Sequence, residues 1–202
     1  MKKNILCAIL LVLNLLSVYY LHINNQRRIT DFKTITETMD GLFRENLFLR
    51  EDIISIQQGA CVLSPQQTLY EESGNSTKLS NITKMKTKYL VLRYSSLSCT
   101  PCVDNAIAAI KKFSKENPDI NILLLATYQF QKDLKVFKKM NKLFTQVYNV
   151  RSLNLPIENR QIPYLFVLDE ELQVLNTFIP RKEIPELTEQ YLEKMKELFV
   201  KY

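Results

Sequence analysis

Cys99 and Cys102 stand three positions apart in the run Cys99-Thr100-Pro101-Cys102, a spacing at which one disulfide can be traded for two thiols. Their neighbours supply the setting. Residues 89–94 are short and rich in apolar and aromatic side chains, as a strand requires, while 103–113 repeat apolar residues at helical spacing. Pro101 then falls near the first helical position, where a missing N–H costs nothing; it starts the helix and tunes the redox pair. Cys99 is thereby expected at a helix N-terminus, whose partial positive charge favours thiolate over thiol and makes it the nucleophile. Cys102, one turn further on, is the natural resolving thiol.

Other chemistries for this pair lack their parts. A zinc site would need two further ligands, yet the remaining cysteines are Cys7 and Cys61 and the only histidine is His22, all far upstream. A copper relay would want a histidine downstream, and there is none. A static cross-link over three residues closes almost no loop and would constrain the unfolded chain little. Redox exchange is the chemistry that fits, and neither a metal nor a cofactor is expected.

The pair needs a domain to carry it, and 202 residues, 46% hydrophobic and 24% charged, suffice for one domain of ordinary size plus an appendage. The net charge of +6 is spread along the chain. Its one cluster, Lys132, Lys135, Lys138, Lys139 and Lys142, reads as a solvated helix face. No Gly-rich phosphate loop and no basic motif interleaved with aromatics argues for nucleic acid.

The appendage is N-terminal. Met1-Lys2-Lys3 precedes a charge-free apolar run, 5–21, that reaches the lower limit for a membrane-spanning helix, with Tyr19 and Tyr20 where an interfacial aromatic belt would lie. A cleaved signal peptide has the same basic start and apolar run, but bulky Val18, Tyr19, Tyr20 and Leu21 stand where a small-residue cleavage site belongs. An uncleaved signal anchor over 1–23 is expected. Lys2 and Lys3 on one side against Arg27, Arg28 and Lys33 on the other leave its orientation nearly tied.

Residues 24–60 read as a helical stalk. Phe32, Ile35, Met39, Leu42, Asn46, Leu49, Ile53 and Ile56 recur at alternating steps of three and four, the a/d seam of a coiled coil, with Asn46 at an a position that favours a two-stranded register. A parallel homodimer is the inference, opposed by Gly41 and closed by a Gly59 cap. A monomeric amphipathic helix is the alternative, since Ile29, Phe43, Leu47, Phe48 and Ile54 broaden the apolar face.

From residue 61 on, strand signals alternate with helical ones. A hairpin is expected at 67–79 around the Glu72-Ser73-Gly74-Asn75 turn, a central strand at 120–126, a helix at 132–143, strands at 144–150, 164–168 and 174–179, and a last helix with Ile184, Leu187, Tyr191, Met195 and Leu198 on one side. The order is ββ then βαβαβββα, an α/β arrangement with a mixed sheet covered by helices.

Three pieces of this domain resemble the thioredoxin superfamily, and more closely its membrane-anchored TlpA/ResA-type thiol-disulfide oxidoreductases. They are the hairpin from Thr68-Leu69-Tyr70 to Lys78-Leu79, the strand and turn from Leu90 to Cys102, and Gln161-Ile162-Pro163-Tyr164-Leu165-Phe166. The resemblance implies a thioredoxin fold over 61–202, a Cys99–Cys102 disulfide, and a cis Ile162–Pro163 bond facing it. Ile162, Pro163, Tyr164 and Ser98 would then bind substrate, the backbone of Ile162 pairing with an extended chain. It also implies a catalytic domain in the periplasm on a single-pass inner-membrane anchor, a disulfide-containing protein as substrate, an upstream membrane electron donor, and reduction as the direction.

Departures from the family pattern are as informative. Ser98 stands where thioredoxins carry tryptophan, and the chain has no tryptophan at all. Arg93 replaces a buried acid six residues before the first cysteine; turned toward the thiols it would lower their pKa, turned away it is an exposed strand residue. Tyr164, in place of the usual threonine, would narrow the substrate groove and add a hydroxyl. Two rival readings stay open: a dimeric redox-sensing or binding module that reports rather than catalyses, and a peroxidase, from the echo in Ser96-Leu97-Ser98-Cys99. Cys61 either bridges to its twin in a dimer or is a buried thiol.

Overall fold

The computed structural model describes residues 2–58, 61–83, 87–142 and 146–199, with the backbone alone at 2–10, 51–52 and 54–58. The chain divides into two compact units, Met1–Arg50 and Glu51–Tyr202.

Helix α1 (Lys2–Gln58) runs without a break through both the expected anchor and the expected stalk. Thr30, Thr34, Thr36 and Thr38 each donate their hydroxyl to the carbonyl four residues back, which satisfies the side chain without leaving the helix. Gly41 is absorbed despite its cost of about 1 kcal/mol. Phe32, Ile35, Met39, Leu42, Leu49 and Ile53 of the heptad seam are all exposed. Of Ile56, the end of that seam, only the backbone is described, and Gly59, its expected cap, lies outside the described residues. No helix among the described residues is long and apolar enough to cross a membrane; the first part of the expected span, 5–10, lies outside the described side chains.

The second unit is built on a seven-stranded sheet. Its strands are β1 (Thr68–Tyr70), β2 (Ser76–Lys78), β3 (Tyr89–Ser95), β4 (Asn121–Thr127), β5 (Gln146–Asn149), β6 (Tyr164–Leu168) and β7 (Val174–Phe178), in the spatial order β2-β1-β5-β4-β3-β6-β7. β3, β4 and β5 are parallel, and β1, β6 and β7 run against their neighbours, so the sheet is mixed. The central strands are the most apolar: β6 is buried throughout and β3 at all but Ser95, as a sheet covered on both faces demands. The β2 edge is short and polar, reading Ser-Thr-Lys.

Alternation along β3 sorts the core into two clusters. Leu90, Leu92 and Tyr94 face helices α3 (Thr100–Glu116), α4 (Gln131–Asn141) and α5 (Pro185–Lys196), which contribute Ile107, Ile110, Phe113, Leu134 and Leu192. Tyr89 and Val91 face the opposite way, into a cluster completed by Leu63, Leu69, Leu79, Leu153, Leu155 and Ile157. That second face is covered by loops and short turns, helix α2 (Leu79–Ile82) and the 3-10 helix Pro156–Arg160, so the long helices expected to cover the sheet pack against the first face. Neither short helix has an apolar period long enough to announce it.

The expected elements otherwise fall within a few residues of the observed ones. The hairpin turn closes with Glu71 N–H donating to the Asn75 carbonyl (2.8 Å) and Gly74 at a φ of 91°, a conformation glycine adopts without strain. Residues 143–145, at the expected junction of the fourth helix and fifth strand, lie outside the described residues. On α5 the buried face is Thr188, Leu192 and Met195, while Leu187, expected inward, is exposed.

Candidate active site

Cys99 is the N-cap of α3, and its carbonyl accepts the N–H groups of Cys102 and Val103, each at 3.0 Å. Pro101 is in the first turn, as its missing N–H predicts. The first turn of α3 holds no acidic side chain to offset the positive end of its dipole beside the cysteines; the first acid on the helix, Asp104, lies just beyond it. Cys99 and Cys102 form a disulfide with Cα atoms 5.3 Å apart, and both are half-buried.

The turn that delivers Cys99 is tied to the ends of the parallel strands. Ser96 N–H donates to the Thr127 carbonyl at 2.9 Å, joining the end of β3 to the end of β4. Ser98 is buried, not open to a substrate: its hydroxyl accepts the Ser95 N–H at 3.1 Å and its own N–H donates to the Ser95 carbonyl at 3.0 Å. Leu97, one position earlier, is 72% exposed. The apolar side chain that this turn shows to solvent is therefore Leu97, one position before the Ser98 that stands where thioredoxins carry tryptophan.

Arg93 is neither exposed nor aimed at the thiols. It is buried, with Nε and Nη2 on Glu158 Oε1 at 2.8 and 2.7 Å, Nη2 also on Thr127 Oγ1 at 2.7 Å, and Nη1 on the Tyr94 and Leu125 carbonyls at 2.7 and 3.3 Å. The guanidinium charge is thus compensated by a carboxylate, which removes the ground for an unpaired cation acting on the cysteines. Glu158 has no flanking motif that would mark it in the sequence, and 65 residues separate it from its partner.

The expected cis bond is corrected. No cis peptide bond occurs among the described residues, so Ile162–Pro163 is trans, the preferred form even before proline. The direction of the chain is set instead by Gln161, which has a φ of 53° at the end of the 3-10 helix. Pro163 is buried and leads directly into β6, whose Tyr164 pairs with Arg93 of β3. Ile162 is half-buried against the loop-covered cluster.

Tyr164 is also corrected: it is 1% exposed and stacks on Phe166 with ring centroids 5.8 Å apart, so its hydroxyl faces the interior and not a groove. Burial, and secondarily the Glu158 carboxylate, pushes its phenol well above the ordinary tyrosine range. Arg93, Ser98, Glu158, Gln161, Ile162 and Tyr164 meet around a cavity of about 30 Å³, which brings the base of the redox turn and the segment before β6 to one place. Cys61 is half-buried beside the same cluster, and its carbonyl accepts the Val174 N–H at 2.8 Å.

No family model matches the chain, and no curated protein matches it. Solved structures do. A thioredoxin-like protein from Porphyromonas gingivalis is 14% identical with a TM-score of 0.50, the match covering 67% of this chain and 90% of that one. A provisionally named thiol:disulfide interchange protein DsbE from Chlorobium tepidum is 17% identical with a TM-score of 0.50, covering 67% of this chain and 96% of that one. The sheet order, the cysteine pair at the head of α3 and these likenesses together give the second unit a thioredoxin-like fold.

Proposed function

We propose that the protein is a thiol-disulfide oxidoreductase that reduces protein disulfides through Cys99 and Cys102. The observation that carries this reading is the cysteine pair at the head of α3, directly after Ser98, which itself lines a cavity with Ile162 and Tyr164. In the reduced protein the Cys99 thiolate attacks one sulfur of a substrate disulfide. An S–S bond forms between enzyme and substrate, and the other substrate sulfur leaves as a thiolate that takes a proton from solvent. The Cys102 thiolate then attacks Cys99 Sγ, closing the Cys99–Cys102 bond and releasing the second substrate thiol. Two electrons have passed to the substrate, and a dithiol donor must return them before the next cycle.

The same reading places the domain outside the cytoplasm, held by an anchor over 1–23 to the inner membrane and served there by a membrane electron donor. The support is the charge-free run 5–21 behind Lys2 and Lys3. The stalk pairs in parallel with a second copy through the exposed seam of α1.

The variant Cys102→Ser in the full chain tests the activity, because it can complete the first attack but not the second. It is expected to accumulate a mixed disulfide at Cys99 that reductant releases, while the parent reduces insulin disulfides catalytically. A parent with both thiols free that shows no insulin turnover, and a variant that traps nothing, would overturn the enzyme and leave a redox-sensing module.

A further inference from the structure

Arg93 is a charged side chain on the face of β3 whose preceding members, Tyr89 and Val91, lie in the apolar core. Burying a guanidinium there is costly unless it is paired and fully hydrogen-bonded. Its partner, Glu158, does more than neutralise it. While Oε1 takes Arg93, Oε2 accepts the Ser152 hydroxyl at 2.5 Å and the N–H groups of Leu153 and Asn154 at 2.8 and 3.1 Å. One carboxylate therefore ties the start of the 152–163 segment, by way of the 3-10 helix, to the central strand of the sheet. That segment includes two left-handed non-glycine residues, Asn154 and Gln161, and its only regular element is a single 3-10 helix. An apolar pair of the same volume would fill the core as well. What the ion pair adds is direction, because its bonds fix the segment to the strand that also ends in the redox turn.

We propose that Glu158 is a positioning residue for substrate: through Arg93 it holds 152–163 so that the backbone at Ile162 lies beside the redox turn, ready to pair with an extended disulfide-bearing polypeptide. This rests on the oxidoreductase reading above. A small aromatic disulfide needs no strand pairing to reach Cys99, whereas a protein disulfide must be held in line for attack. The two substrate classes therefore separate this role from an effect on the thiol itself.

The experiment compares the parent with Glu158→Gln in the reduced full chain, measuring kcat/KM on insulin and the second-order rate with 5,5′-dithiobis(2-nitrobenzoate). Glu158→Gln is expected to lower kcat/KM on insulin by tenfold or more, chiefly through KM, with the rate on the small disulfide within twofold of the parent. Glu158→Asp is expected to recover part of the insulin activity. If Glu158→Gln does not fold, the double variant Arg93→Met/Glu158→Leu, which keeps the site filled without charge, is read by the same two assays with the same expectation. Equal losses on both substrates, or no loss on either, would overturn the positioning role. A parent inactive on both substrates would instead overturn the oxidoreductase reading.

Discussion

The phenols of Tyr94 and Tyr164 lie buried in the sheet beside the candidate site, that of Tyr191 is half-buried on α5, and the fold resists ionising all three. Burial raises Tyr94 and Tyr164 well above the usual range, with Tyr128 adding to the first and the Glu158 carboxylate to the second, and burial alone raises Tyr191. All three shifts favour the neutral form in the folded state. Below about pH 10 both folded and unfolded chains hold these protons, so the groups add no pH dependence. Above it the unfolded chain loses protons that the folded chain retains, and stability falls, by up to about 1.4 kcal/mol per group for each pH unit. An absorbance titration at alkaline pH should show these tyrosines ionising together with unfolding and not before it. A smooth titration of all ten tyrosines of a folded protein would refute it. At this scale the sequence was legible where chemistry is local: Cys99, Pro101 and Cys102 sit as their spacing predicts. Arg93 was not, because its meaning depends on Glu158, which the fold brings from 65 residues away. Tyr164 is expected in a groove only because the resemblance puts a threonine of the substrate site at its position, and a matching position does not say which way the larger side chain points; here it points into the core.

At the scale of elements, the long apolar strands and helices were legible because burial on both faces writes a continuous run and an amphipathic helix writes a 3.6 period. The loop-covered face was not, since Leu153 and Leu155 are apolar without belonging to a regular element and Ile157 sits in a single short 3-10 helix. The stalk carries the one prediction that belongs to an element alone. In the heptad that puts Asn46 at a, Glu45 occupies g and Arg50 the following e. Those are the positions that pair between strands of a parallel two-stranded coil, g of one chain with e of the next heptad in its partner. Two such pairs would form per dimer, each adding about 0.5 kcal/mol beside the apolar seam. Arg50→Glu, which sets Glu45 against a like charge, is expected to raise the dimer dissociation constant of the detergent-solubilised full chain several-fold. Glu45→Arg/Arg50→Glu should restore it, as sedimentation would measure. A parent that sediments as a monomer, or a double variant as weak as the single one, would overturn the parallel register.

For the whole molecule, stability and redox direction are two sides of one cycle. The Cys99–Cys102 bond can be made or broken in the folded or the unfolded chain, so the potential of the folded protein differs from that of its unfolded chain by the difference in stability between the oxidised and reduced forms. Thirty millivolts on this two-electron couple corresponds to about 1.4 kcal/mol. A protein that gives electrons to substrates must hold its own disulfide more firmly than its dithiol, and its oxidised form is then the more stable one. In an oxidant the order is reversed, because favourable placement of a thiolate at the head of the helix stabilises the reduced form. The fold offers both influences at the same point. Cys99 caps α3 with no acidic side chain in its first turn, while the buried Arg93 charge is already met by Glu158 and is not left for the thiols. With the cation compensated, the reductase reading requires the oxidised protein to unfold at the higher denaturant concentration, with the two transitions equal in slope. Urea unfolding of the oxidised and dithiothreitol-reduced forms measures this directly. A reduced form that is more stable than the oxidised one would make the same cysteines an oxidant, and would assign the upstream partner the task of removing electrons rather than supplying them.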